Sequence, residues 1–223
     1  MSPDGRRRAL GGMLAGRPPF SYNPLRKNLG DLLNMQFRMF PSEDVPLAVV
    51  LEQVARAAKS EKERSANLEV AKLLYEGLRA EKFKASHEEF HRLSLGPGLS
   101  ATYCSDLVLA RAEDLVVSGF NFRRTPLVGS GAKFAFSVMH EQSRALNEDL
   151  REARLALVQF PHPKRASRHI SISYSDEGSL FTYDQLALMT AETYRVWYEL
   201  QEAAEYEARR SGTDDKSWWG GGD

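Results

Sequence analysis

The chain has 223 residues, of which 42% are hydrophobic and 27% are charged, and its formal net charge is zero. This composition is typical of a globular protein, and no apolar run approaches the roughly 20 residues that a membrane span requires. A single cysteine, Cys104, excludes an intramolecular disulfide. The sequence therefore predicts an intracellular protein, cytoplasmic or nuclear, that is not secreted.

Positive charge is concentrated at the N terminus. Residues 1–30 have six cationic side chains against one acidic side chain, a net charge of +5, and glycines and prolines interrupt them. Such a segment has little to bury, so a disordered basic arm that contacts phosphates or anionic lipid is expected, with Arg6, Arg7 and Arg8 as anion-binding residues. The alternatives are a solubilising tail or an arm that folds back on the acidic end of the chain.

Residues 31–210 are predicted to form one α+β domain, a single globular body of helices packed on a mainly antiparallel sheet, between disordered N- and C-terminal tails. Apolar residues alternate with polar ones over 31–40, which indicates a half-buried strand. Helical spacing of apolar residues predicts helices over 45–58 and 65–80, separated by a polar hinge at 59–64.

The stretch that follows contains His87, Glu88 and His91 in the order H-E-x-x-H. On a helix, two imidazoles four residues apart can hold zinc while the glutamate acts on the bound water. The motif resembles that of the zincin metallopeptidases, which implies His87 and His91 as ligands, Glu88 as general base and Glu113 as the best-spaced third ligand. The alternative is an exposed polar turn of helix or strand without a metal, because the neighbouring Glu89 is costly to bury.

Short strands are predicted over 90–95, 99–103, 107–110 and 115–122, followed by a glycine turn, 129–131, and a helix over 133–152. The turn is not a P-loop, because Ala132 precedes Lys133 where that motif requires glycine. With Arg123, Arg124 and Lys133 nearby, it could hold a phosphate or sulfate on free backbone N–H groups. A plain strand-to-helix turn is the alternative.

Two further strands, 155–160 and 169–174, are joined by a basic loop that contains Lys164, Arg165 and Arg168. Basic side chains beside aromatic rings indicate a surface for single-stranded nucleic acid, because arginine meets phosphate and rings stack on bases. A solvated hairpin tip is the other interpretation of the same residues.

The last helix is predicted over 183–210, opened by a capping box from Thr182 to Gln185. Its apolar stripe packs on the sheet or forms the seam of a homo-oligomer. Residues 211–223 are expected to be a flexible acidic tail. Trp218 and Trp219 in this tail either dock on the body or present a short motif to a protein partner.

These features favour a non-enzymatic binding or assembly protein that engages an anionic partner, most of all nucleic acid, through the basic arm and loops, and that needs no cofactor. One alternative is a zinc-dependent hydrolase. Another is a protein-interaction scaffold. The order of elements also loosely resembles that of small viral matrix proteins, which implies a structural role, although Pro18 to Tyr22 misses their P-P-x-Y motif by one residue.

Overall fold

The computed structural model describes residues 3–15, 21–35, 45–80, 82–112, 114–164 and 166–210. They form an α+β fold, which confirms the fold class predicted from the sequence. The chain divides into two compact units, residues 19–186 and residues 1–18 with 187–223. No helix in the described parts of the chain is long and apolar enough to cross a bilayer.

The larger unit is built on a five-stranded sheet in the order β1-β4-β5-β6-β7. Only β5 and β6 are parallel, and every other pair is antiparallel, so the sheet is mainly antiparallel as predicted. A separate two-stranded hairpin consists of β2 and β3. The strands are β1 Lys84–His87, β2 Leu93–Ser94, β3 Ser100–Ala101, β4 Leu107–Arg111, β5 Asp114–Asn121, β6 Arg154–Gln159 and β7 Ser171–Tyr174.

Helices cover both faces of this sheet. On β6, Ala156 and Val158 join the core beneath helices α2 to α5, whereas Leu155 and Leu157 join the core beneath α6. A strand buried on both faces is expected to be a nearly continuous apolar run, as β6 is. The helices are α1 Pro3–Ala15, α2 Asn23–Lys27, α3 Leu29–Leu32, α4 Leu47–Ala57, α5 Glu61–Ala80, α6 Ser130–Gln142 and α7 Tyr183–Arg210, with 3-10 turns at Glu148–Leu150 and Glu177–Ser179.

Several predicted elements differ from those observed. The strand predicted over 31–40 is wrong where it overlaps α3, and residues 36–40 lie outside the described residues. The hinge at 59–64 is largely the first turn of α5, and the helix predicted over 133–152 ends at Gln142. The capping box is confirmed, because Thr182 N donates to Gln185 Oε1 at 3.0 Å and Gln185 N donates to Thr182 Oγ1 at 3.3 Å.

Where the sequence predicts a disordered basic arm, the structure has helices α1, α2 and α3. In the smaller unit, Arg6 pairs with Glu192 at 2.8 Å and Arg7 pairs with Glu199 at 3.1 Å. These cations are therefore engaged by carboxylates of α7, which corresponds to the alternative of an arm that folds back on the acidic end of the chain. Arg8 is exposed on α1.

The segment that leads into α2 is held on α5 by side chains. The Glu63 carboxylate accepts hydrogen bonds from Lys59 N at 2.7 Å, Ser21 Oγ at 2.9 Å and Ser21 N at 3.1 Å. Asn67 Oδ1 accepts from Leu25 N at 3.1 Å, and Asn67 Nδ2 donates to Ser21 O at 2.9 Å. Polar side chains of α5 thus replace the backbone partners that this irregular segment lacks.

These bonds make a pH-dependent contribution to stability. The backbone N–H of Lys59, then the hydroxyl and N–H of Ser21, lower the pKa of Glu63. Since the folded-state pKa is lowered, the contribution is present above the ordinary glutamate value of about 4.3 and is lost as the pH falls through the folded-state value.

We expect Glu63→Gln to flatten the fall in unfolding free energy on acidification, measured by urea denaturation at a series of pH values. Glu61→Gln, at an exposed position of the same helix, is the control and should follow the parent; parallel curves for Glu63→Gln and the parent would contradict the assignment.

Candidate interaction surface

The H-E-x-x-H residues do not lie on a helix, because residues 88–92 are outside regular secondary structure. His87 ends β1, and Glu88 N donates to Asp106 O at 3.3 Å beyond the strand. Without a helix, the shared face that the zinc motif requires is absent. Among the described residues, no group of three His, Cys, Asp or Glu side chains is placed to hold a metal ion.

The remaining residues of that motif have structural contacts. Asn147 Nδ2 donates to Glu88 Oε1 at 3.1 Å, and Gln142 Nε2 donates to the backbone oxygen of His91 at 2.8 Å. Glu113 lies outside the described residues. Ser86, which precedes the motif, is part of β1, and the pairing of this strand with β4 takes the place of the helix that the zinc motif requires.

Cys104 is a packing residue. Its side chain is buried in the core beneath α6, and burial, with a smaller effect from Asp106, raises the pKa of the thiol to about 12. The thiol is therefore protonated at neutral pH, which does not suit a nucleophile.

The structure brings two of the predicted basic loops together. Arg123 and Arg124 follow β5, and Lys164 lies in the loop after β6. Because these two strands are parallel, both loops leave the same edge of the sheet, and His162 N donates to Arg124 O at 3.1 Å between them. Arg165 lies outside the described residues.

Arg168, predicted as an anion-binding residue, instead forms hydrogen bonds with other parts of the chain. Its side chain is fully buried. Its guanidinium donates to four groups of the protein, and because the side chain is buried it is not accessible to an external anion. These acceptors are Phe160 O, Phe122 O, the Tyr22 hydroxyl and the Glu69 carboxylate.

The loop between β5 and α6 is fixed by two amide side chains. Gln159 Oε1 accepts from Leu127 N at 2.7 Å, and Gln159 Nε2 donates to Leu127 O at 3.2 Å. Asn121 Nδ2 donates to Thr125 O at 3.1 Å, and Asn121 Oδ1 accepts from Arg123 N at 3.2 Å. The loop therefore has a defined backbone although it is outside regular secondary structure.

Three exposed cations and one apolar side chain project from this edge: Arg123, Arg124, Lys164 and Val128, which is 71% exposed. Arg26 of α2 joins them, with its guanidinium 5.0 Å from the centre of the Phe122 ring. Arg26 was not predicted as a site residue, because in the sequence it is only one charge of the basic arm. We call Arg26, Arg123, Arg124, Lys164 and Val128 the carboxyl-edge patch.

The other predicted site residues are dispersed. Lys133 Nζ lies 4.2 Å from the centre of the Phe181 ring. The glycine turn before α6 is present, and Gly129 has a φ of +52°, a conformation that favours glycine. Trp218 and Trp219 lie outside the described residues.

Comparison with known proteins gives a consistent match over nearly the whole chain. Residues 1–207 match the family model described as the sliding clamp-binding bacterial toxin SocB. The chain is 40% identical over 222 residues to the DNA replication inhibitor toxin SocB of Caulobacter vibrioides, covering 99% of this chain and 93% of that protein. No solved structure matches.

These matches overturn the leading functional expectation and two of its alternatives. The description of the family names a protein partner, the sliding clamp. It therefore does not support nucleic-acid binding, a zinc-dependent hydrolase or a viral matrix protein. The protein-interaction alternative agrees with the family in its general form. The chain belongs to the SocB family of sliding clamp-binding bacterial toxins.

Proposed function

We propose that this chain binds the bacterial sliding clamp and thereby inhibits DNA replication inside the cell. The observation that carries the proposal is the extent of the match, since 40% identity runs through 99% of the chain and 93% of a relative named as a DNA replication inhibitor toxin. The two chains therefore correspond over nearly their full lengths. Inhibition of this kind requires only that the chain occupy a surface of the clamp, and it needs no reacting groups.

A short apolar segment is the best candidate for the main contact with the clamp. Between α3 and α4, the sequence from Gln36 to Phe40 contains Phe37, Met39 and Phe40. Large apolar side chains, aromatic ones above all, supply most of the binding energy in protein interfaces. Residues 36–44 themselves lie outside the described residues, and the composition of the segment and the contacts of its flanks support the proposal.

Both flanks of that segment are attached to the core of the larger unit. On one side, Leu29 and Leu32 of α3 are buried, and Met35 packs against the same core. On the other side, Val45 packs against it, and Val50 of α4 is buried. A short segment with both ends fixed has less conformational entropy to lose on binding than a free peptide, which favours affinity.

The proposal is tested by titrating the purified chain with a purified bacterial sliding clamp in a calorimeter. A saturable interaction with a fixed number of chains per clamp is expected. Duplex DNA at the same concentration is the control titrant. Heat from DNA but none from the clamp would contradict the proposal.

A further inference from the structure

Within the described part of the chain, no carboxylate forms an ion pair with a cation of the carboxyl-edge patch. Elsewhere on the described surface, arginines pair with glutamates, as Arg56 does with Glu52 and Arg151 with Glu148. By contrast, Arg26, Arg123, Arg124 and Lys164 have no ion pair with any described residue. Unpaired cations collected at one edge produce a local positive field in a chain whose net charge is zero.

This clustering opposes stability in the isolated chain. The Arg26 guanidinium lies over the Phe122 ring, and the pKa of Arg26 is lowered by desolvation and by the neighbouring charge of Arg123. Like charges held close together repel one another, and a carboxylate placed between the two arginines would relieve that repulsion. The arrangement is complementary to an acidic surface.

The patch also has the composition of a protein interface. Val128 is an exposed apolar side chain within the same loop as Arg123 and Arg124, and a protein contact combines an apolar centre with a charged rim. The hydrogen bonds from Asn121 and Gln159 fix the loop before any partner arrives, which lowers the entropy lost on binding.

We propose that the carboxyl-edge patch is a second contact with the sliding clamp, on which it meets a surface bearing carboxylate side chains. This inference rests on the proposed function. Arg123 and Arg124 supply the charged contacts, and Val128 supplies the apolar one. Because exposed charges at the rim of an interface act mainly on the rate of association, the contribution should weaken as salt is added.

The test compares two variants with the same change of charge. Arg123→Glu with Arg124→Glu should lower clamp affinity about tenfold at low salt and reduce its dependence on salt. Arg56→Glu with Arg151→Glu, made at exposed positions outside the patch, is the control and should keep the parent affinity. A third variant, Val128→Ser, should weaken binding equally at low and high salt.

The outcomes separate the inference from the proposed function. If the parent binds the clamp and the Arg123, Arg124 variant binds equally well, the clamp proposal stands and this inference is wrong. Equal losses in both charge-reversed variants would mean that net charge alone is responsible, which also overturns it. If the parent binds duplex DNA and the variant loses that binding alone, the patch is a nucleic-acid surface and the inference fails. A parent chain that does not bind the clamp would refute the proposed function itself, and the inference with it.

Discussion

Replacing Phe37 and Phe40 together with alanine is expected to lower the affinity of the chain for the sliding clamp at least about 100-fold. Truncating an aromatic anchor at the centre of an interface typically costs 2 kcal/mol or more, and each 1.4 kcal/mol corresponds to a factor of ten in affinity. Calorimetry with the purified clamp measures the change directly. A thermal melt of the variant shows whether the fold is retained.

A matched control removes two aromatic rings from another surface. Tyr198 and Tyr206 of α7 are 56% and 66% exposed, so replacing both with alanine removes the same number of rings with little effect on folding. That variant should bind the clamp as the parent does. If it loses affinity while the Phe37, Phe40 variant binds normally, the principal contact is α7 and not the segment between α3 and α4.

Replacing Arg168 with methionine is expected to lower the free energy of unfolding by about 3 kcal/mol. Removing the guanidinium leaves two buried carbonyl oxygens, those of Phe160 and Phe122, without this donor, and an unsatisfied buried acceptor costs about 1–3 kcal/mol. The Glu69 carboxylate is 38% exposed and regains water, so the loss of the ion pair adds less. Urea denaturation, monitored by circular dichroism, gives the change.

Two further variants define what Arg168 contributes. Arg56→Met removes an exposed arginine that also pairs with a glutamate, and it should change the unfolding free energy by no more than about 1 kcal/mol. Arg168→Lys keeps the charge but cannot reproduce the planar array of donors, so it should recover only part of the loss. Full stability in Arg168→Met would show that these bonds are not needed to hold the loop between β6 and β7.

The elements that the sequence predicts well are those whose signal is local. Helix α4 has a clear apolar face, and α7 begins at a capping box between Thr182 and Gln185 whose two hydrogen bonds the structure contains. The apolar strands β5 and β6 were also predicted close to their observed limits. Periodicity and caps depend on residues close together in the chain, which is why one sequence suffices to recognise them.

The errors arise where distant residues decide the outcome. Nothing local distinguishes Arg168 from the neighbouring Lys164, yet one is buried against Phe122 and Tyr22 and the other is exposed. The H-E-x-x-H string has helical spacing only if a helix forms, and pairing of β1 with β4 excludes that helix. Arg6 and Arg7 belong to a folded unit, in which they form ion pairs with glutamates almost 200 positions away in the sequence.

The candidate surface was found in part. Arg123, Arg124 and Lys164 were predicted as anion-binding residues in two separate loops, and the structure has these two loops hydrogen-bonded to each other. It assigned them to nucleic acid, because a basic loop beside aromatic rings has the same composition whether its partner is a phosphate or a carboxylate. Charge identifies the sign of a partner and not its class, so the proposal of a protein partner rests on the family relationship.

Clamp-dependent DNA synthesis on a primed single-stranded circle, reconstituted from purified bacterial polymerase, clamp loader and sliding clamp, tests the central claim most directly. The chain is expected to inhibit this synthesis, and additional clamp is expected to restore it, because free clamp binds the inhibitor. Polymerase activity measured without the clamp should be unaffected. Inhibition that additional clamp does not relieve, or that is equally strong when the clamp is omitted, would contradict the proposal that the chain acts through the sliding clamp.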